Sequence, residues 1–211
     1  MKQVLNNAYK KLYKYFGPQH WWPADSPFEV IIGAILTQNT NWQNVEKAID
    51  NLKKEKLLSA KKLYLLNEKK LACLIRPSGY FNIKAKRLRS FLKYLFDNYS
   101  GSIKKMFKNN LVSLREELLN IKGIGEETAD SILLYAGGMP IFVIDTYTKR
   151  FCQRHKITCK NASYKDTQDI FMDNLKKDVL LFNEFHALLV RLGKEFCLKS
   201  KQKCELCPLK D

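Results

Sequence analysis

Asp145 closes the apolar run Pro140-Ile141-Phe142-Val143-Ile144 and is followed by Thr146. A carboxylate there is either a helix N-cap or a partly desolvated group with chemistry to perform. The two readings are compatible, because a cap fixes the direction of the carboxylate. Upstream, Ile121-Lys122-Gly123-Ile124-Gly125 reads as a short glycine hairpin opening a helix. Both glycines can take φ > 0 or admit another backbone closely. The N–H groups around Gly123 and Gly125 then point out of a helix start, where anions bind well. The bland alternative is a tight turn between helices, the usual meaning of an isolated Gly-x-Gly. Near the far end, Cys197, Cys204 and Cys207 stand at a spacing that suits a metal cluster.

Composition narrows the anion. The chain has 211 residues, with 37 basic against 21 acidic and a formal net charge of +16. That balance points to a polyanion, with nucleic-acid phosphate first; a merely solvated basic surface is the alternative. A hydrophobic content of 45% supports a real core in one large domain or two small ones. No apolar run approaches the roughly 18 residues that span a bilayer, and the polar-interrupted N-terminus does not read as a signal peptide. The expectation is a cytoplasmic, nucleoid-associated monomer with no membrane partner, whose six cysteines are not disulfides.

These groups must be positioned by helices. Leu5, Ala8, Leu12 and Tyr15 recur at helical spacing. Ser26-Pro27 reads as an N-cap with proline at N1. Amphipathic segments follow over 42–52, 84–96, 111–119, 126–136, 145–152, 166–175 and 184–196, and the 84–96 segment sets its lysines and arginines opposite its apolar face. No strand is convincing; 140–145 suits a buried extended segment entering a helix at Asp145. The expected fold is all-α with two helical lobes. One is a helical barrel with the hairpin over 26–139; the second is 1–25 plus 140–211 with the cysteine loop. A cleft near Asp145 is expected between them.

IKGIGEETADSI followed by VIDTYTKRF resembles the helix-hairpin-helix plus Gly/Pro-Asp signature of the endonuclease III superfamily of DNA glycosylases. ILTQNTNWQNV, SGYFNIKAKRL and the terminal cysteines stand in that family's order, so the resemblance spans nearly the whole chain. It implies that duplex DNA with a damaged base is bound, the nucleotide flipped out and the base removed. Asp145 matches the family's catalytic aspartate, which stabilises positive charge on the sugar and orients or deprotonates water. Where bifunctional members carry a Schiff-base lysine, this chain has Glu127, and a carboxylate forms no imine. The resemblance therefore implies glycosylase activity without strand cleavage, with Lys122 or Lys149 as substitutes that do not align. A bifunctional enzyme using another lysine and a non-catalytic DNA-binding module are the alternatives.

The chain is most similar to the 3-methyladenine glycosylases of the endonuclease III type. Shared features are the WWP segment, the TQNT turn with an aromatic two residues later, RPSG before the lysine-rich helix, and the glutamate. The resemblance places Trp21, Trp22, Trp42 and Glu127 at the base pocket. Aromatic faces attract N-alkylated, cationic purines by roughly 0.5–2 kcal/mol; core packing is the alternative for the paired tryptophans. The adenine glycosylase branch is disfavoured, because Ile32 to Leu36 carry no acid. DNA contact is expected from Gln38 as a wedge, Tyr80 as a second intercalating position, Lys84, Lys86 and Arg87, and the hairpin residues Gly123, Ile124, Gly125 and Thr128. Carbonyls near Leu119, Ile121 and Ile124 are candidates for a monovalent cation. Cys197, Cys204 and Cys207 match most of the family's C-x6-C-x2-C-x5-C pattern for a [4Fe–4S] cluster, with zinc as the alternative. The fourth cysteine of that pattern falls beyond Asp211; Cys152 and Cys159 are substitutes only if the fold brings them near.

Overall fold

The computed structural model describes residues 1–210, and Asp211 lies outside the described residues. Those residues form helices and loops, with no strand among them. None of the described helices is long and apolar enough to cross a membrane. The chain divides into two compact units: Pro23–Gly137, and Met1–Trp22 with Gly138–Asp211. It leaves the second unit at Trp22 and rejoins it at Gly138.

Within Pro23–Gly137, α2 (Pro27–Leu36) starts where the sequence places it: the Ser26 side chain accepts the Glu29 N–H and Pro27 occupies the first turn. Apart from Glu29 the helix is apolar and buried, which makes it the centre of this unit. α3 (Trp42–Lys54) is capped by Asn41 and buries Val45, Ala48, Ile49 and Leu52. α4 (Ala60–Leu65), α5 (Glu68–Leu74) and α7 (Ile103–Met106) are short and escaped the periodicity reading. One helical face repeats too few times in such lengths to register. α6 (Phe81–Tyr99) begins at Tyr80, a non-glycine residue in the left-handed region at φ 45°. α8 (Leu111–Leu119) leads into the glycine hairpin and α9 (Glu126–Ser131) leads out, widening to a π-turn over Ile132–Ala136.

In the other unit, α1 (Lys2–Phe16) buries Leu5, Ala8 and Leu12. Residues 138–145 are extended, with Ile141 to Ile144 buried, and Asp145 caps α10 (Thr146–Arg154). A Ser163 capping box opens α11 (Tyr164–Asn174). α12 (Val179–Glu195) starts earlier than its apolar pattern suggests, because Asp178 caps it through the Leu181 N–H. Gly193 lets α12 lie close on α10: a Cβ there would stand 2.3 Å from Tyr147 Cδ1. Arg150 fastens the same contact, donating to the Gly193 and Cys197 carbonyls at 3.1 and 2.6 Å.

Candidate active site and nucleic-acid interface

Asp145 is buried at the start of α10, and its Oδ1 accepts the Thr148 N–H at 2.7 Å. The cap and the buried functional group are therefore the same carboxylate. Its other oxygen faces His186 of α12, with Nε2 to Oδ2 at 3.6 Å. Burial works to raise the carboxyl pKa, but the His186 charge and hydrogen bonding and the Thr148 bonds outweigh it. The net shift is downward, so the group is ionised well into acid. His186 is itself buried, and the Phe142 ring meets its imidazole edge-on at 6.4 Å and 82°. The sequence reading missed His186. Its only local signal is a polar residue on the apolar face of α12, which is also what an ordinary core histidine looks like.

Gln38, Arg87, Gly123 and Thr128 are brought together in the Pro23–Gly137 unit. The Gln38 amide nitrogen donates to the Gly123 carbonyl at 3.0 Å and to the Thr128 hydroxyl at 2.8 Å. Its oxygen accepts from Arg87. Gly123 has φ 92°, and a Cβ on it would lie 2.4 Å from the Arg87 Cγ. Conformation and space both require glycine there. The hairpin is clamped from behind by a fork between Arg115 and the fully buried Asp130, at 2.7 and 3.1 Å, joining α8 to α9. Two expectations change here. Thr128 is buried with its hydroxyl on Gln38, so that side chain is a hairpin support. Gln38 is turned onto the hairpin, with both ends of its amide engaged.

Lys84 requires a larger correction. It is 1% exposed, and its Nζ donates to the Leu36 carbonyl, the Thr40 hydroxyl and the Ser78 carbonyl at 2.7, 2.7 and 2.6 Å. Burial, and then the neighbouring Arg87, lower its pKa to about 8. A phosphate contact does not fit an ammonium already surrounded by three acceptors. Lys84 instead ties the loop carrying Gln38 to the loop carrying Tyr80. Lys86 is exposed, Arg87 half-buried, and Tyr80 is 69% exposed. The Ile124 side chain is core, while Gly125 is exposed with open space where a Cβ would be. The Ile121 carbonyl accepts the Ile124 N–H at 3.0 Å.

The aromatic set is divided between the units. Trp21 and Trp22 belong to the one containing Asp145, with ring centroids 5.4 Å apart at 63°. Trp42 and Glu127 belong to the other; Trp42 donates its indole N–H to Glu46 at 2.6 Å, and Glu127 is exposed on α9.

The cysteine tail hangs from α10 and α12. Besides the Arg150 contact, Arg154 donates to Cys197 Sγ at 3.2 Å and to the Lys199 carbonyl at 3.3 Å. Cys207 has a raised pKa, chiefly from burial, with Cys197 and Cys204 adding to it. Cys207 thus feels the other two thiols. They are not drawn together, however: among the described residues no three His, Cys, Asp or Glu side chains form a group that could hold a metal ion. The donor set as it stands does not fit a closed cluster. Cys152 is buried and Cys159 exposed.

Residues 32–177 match the model of the HhH-GPD superfamily of base excision DNA repair proteins. The chain belongs to that superfamily. A protein of Methanocaldococcus jannaschii, provisionally named a DNA repair glycosylase, is 48% identical over 99% of this chain and 95% of its own length. Endonuclease III of Thermotoga maritima is 27% identical over 99% of this chain and 91% of its own length. Among solved structures, the 3-methyladenine DNA glycosylase of H. pylori bound to 1,N6-ethenoadenine has a TM-score of 0.78 at 30% identity, covering 92% of this chain and 97% of that one. A trapped endonuclease III–DNA covalent intermediate has a TM-score of 0.85 at 23% identity, covering 99% and 93%, and shares the fold. This HhH-GPD chain is accordingly a DNA repair glycosylase by family.

Proposed function

We propose that the chain is a monofunctional glycosylase that excises an alkylated, 3-methyladenine-like base from duplex DNA. The observation that carries this reading is a buried, ionised Asp145 in a chain that has a carboxylate, Glu127, at the sequence position expected of a Schiff-base lysine. Asp145 opposes the positive charge that grows on the sugar as the N-glycosidic bond lengthens. The bonding pair leaves with the base. A water oxygen adds to C1′, and Asp145 takes its proton. The product is an intact abasic strand. A cationic alkylated base is already a good leaving group, so stacking on an aromatic face, Trp21, Trp22 or Trp42, suffices without a general acid. The 30% identity to the H. pylori 3-methyladenine glycosylase supports this substrate class.

DNA would be held by the hairpin N–H groups at Gly123 to Gly125, by Lys86 and Arg87, and by Tyr80 stacking at the lesion. A left-handed backbone at an exposed aromatic is the kind of strain that gathers at functional sites. Gln38 serves as the wedge only after releasing the hairpin. A monovalent cation at the hairpin carbonyls would organise a binding surface and take no part in the base chemistry. The adenine-glycosylase reading gains nothing from Glu29, the buried acid of α2: its carboxylate is held by Lys53 at 2.7 Å and by the Asp25 N–H at 3.2 Å.

Duplexes containing 3-methyladenine or 7-methylguanine, assayed for free base, test the reading. Base should be released, the strand should break only after alkali, and borohydride should trap no adduct. A trapped adduct with the wild-type chain removes the monofunctional assignment and directs attention to Lys122 or Lys149. Failure to release base from either duplex favours the binding-module alternative.

A further inference from the structure

The geometry of the α10–α12 contact points to His186 as a positioning residue for Asp145, one that keeps the catalytic carboxylate ionised and aimed. The inference rests on the catalytic reading of Asp145. The carboxylate is buried at the end of the buried apolar run Ile141 to Ile144, and an unpartnered buried acid would take up a proton. One oxygen is committed to the Thr148 N–H at 2.7 Å, and so to the positive end of α10. The second has His186 Nε2 at 3.6 Å, close enough to favour the charge and too long to be a tight hydrogen bond. That oxygen is therefore supported without being locked, as it must be to turn toward a sugar or a water.

Three features hold the imidazole there. The Phe142 ring lies edge-on to it. Gly193 lets α12 approach the Tyr147 ring on α10. Arg150 bonds the far end of α12. Other titratable groups nearby are differently engaged. The Tyr164 hydroxyl of α11 accepts the Ile144 N–H at 3.2 Å, and the Lys149 ammonium lies over the Tyr164 ring at 5.9 Å. The Thr148 hydroxyl is buried beside the carboxylate and helps lower the Asp145 pKa.

Single-turnover base release from a 7-methylguanine duplex, measured from about pH 5 to pH 8, tests the role in wild type, His186→Leu and His186→Gln. Leucine removes charge and N–H; glutamine restores an N–H of similar reach. Without His186 the Asp145 carboxyl pKa rises, because that partner no longer offsets burial. The acid limb of the rate profile should therefore move to higher pH, with a loss of several-fold or more at about pH 5 that shrinks toward pH 8. Glutamine should recover part of the rate, and duplex affinity should stay within about twofold of wild type. An unshifted limb, with the rate either unchanged or lowered uniformly, overturns the proposal.

A second measurement needs no turnover. Thermal denaturation of wild type, Asp145→Asn, His186→Gln and the double variant forms a cycle. Because the folded Asp145 pKa is depressed, its ionic contribution is present above the unfolded value of about 3.9 and fades as pH falls through the folded value. Coupling at neutral pH that disappears in acid supports the pair; additive variants at neutral pH overturn it. Coupling in a wild-type protein that releases no base sinks the glycosylase reading and leaves the His186–Asp145 pair standing.

Discussion

Lys84 and Lys86 are two residues apart on α6 and have opposite fates, which makes them a test of what charge does at the level of one side chain. Lys84 is enclosed by three acceptors and joins two loops; Lys86 is exposed. Replacing Lys84 with Met leaves two carbonyls and a hydroxyl without their donor, at a cost of about 2–4 kcal/mol. Lys84→Met should lower the melting temperature and weaken duplex binding by loosening the Gln38 and Tyr80 loops. It should not change the dependence of binding on salt, because no phosphate contact is lost. Lys86→Ala should do the reverse: stability unchanged, affinity lower, and the slope of log affinity against log salt reduced by about one. Thermal denaturation and fluorescence anisotropy over a salt series separate the two. Equal salt slopes for both variants would remove Lys86 from the interface.

The helix-hairpin-helix of α8 and α9 is a rigid element, and its glycines divide its two tasks. Gly123 is needed by the fold: φ is 92° and the Arg87 stem lies where a Cβ would go. Gly125 is an N-cap at φ −99° with open space around it. Gly123→Ala should cost about 1–3 kcal/mol and loosen Arg87 and Gln38 from the hairpin. Gly125→Ala should melt like wild type and still bind duplex less tightly, because the added methyl group keeps a phosphate from the N–H groups. A Gly125→Ala variant that binds normally would move the phosphate site off this turn. The hairpin was legible in sequence because its signals are local: paired glycines, an apolar frame and acids in the first turn of α9. The Arg115–Asp130 clamp behind it was not, since Asp130 reads as one more polar residue until α8 and α9 fold together.

Across the molecule, a net charge of +16 is spread over a chain whose family repairs DNA. Binding to duplex should therefore be strongly salt-dependent. Neutralising about six phosphates would cost roughly 10³-fold in affinity between 50 and 200 mM salt. A flat salt response would mean that the lysines mainly keep the surface solvated. The tail makes a separate claim on the whole protein. Iron content and visible absorbance of anaerobically purified protein decide whether Cys197, Cys204 and Cys207 gather a cluster, which their present separation does not provide. Iron-free protein of full activity would leave the tail to Arg150 and Arg154, which already fasten Cys197 through its carbonyl and its sulfur.

The sequence by itself determined the all-α fold, the cap at Ser26, the hairpin at Gly123 and the extended run that delivers Asp145 to the start of a helix. Each is written within a few residues, where helical period, capping side chains and glycine conformation act. The tertiary structure alone decided which way the polar side chains turn. Lys84 meets a carbonyl 48 positions away, and Gln38 meets one 85 positions away. His186 reaches Asp145 because a glycine lets two helices close on each other. A lysine on a helix is ambiguous in sequence, because its long stem can carry the charge outward or deliver it to buried acceptors. Only the arrangement of distant carbonyls settles which is lower in free energy.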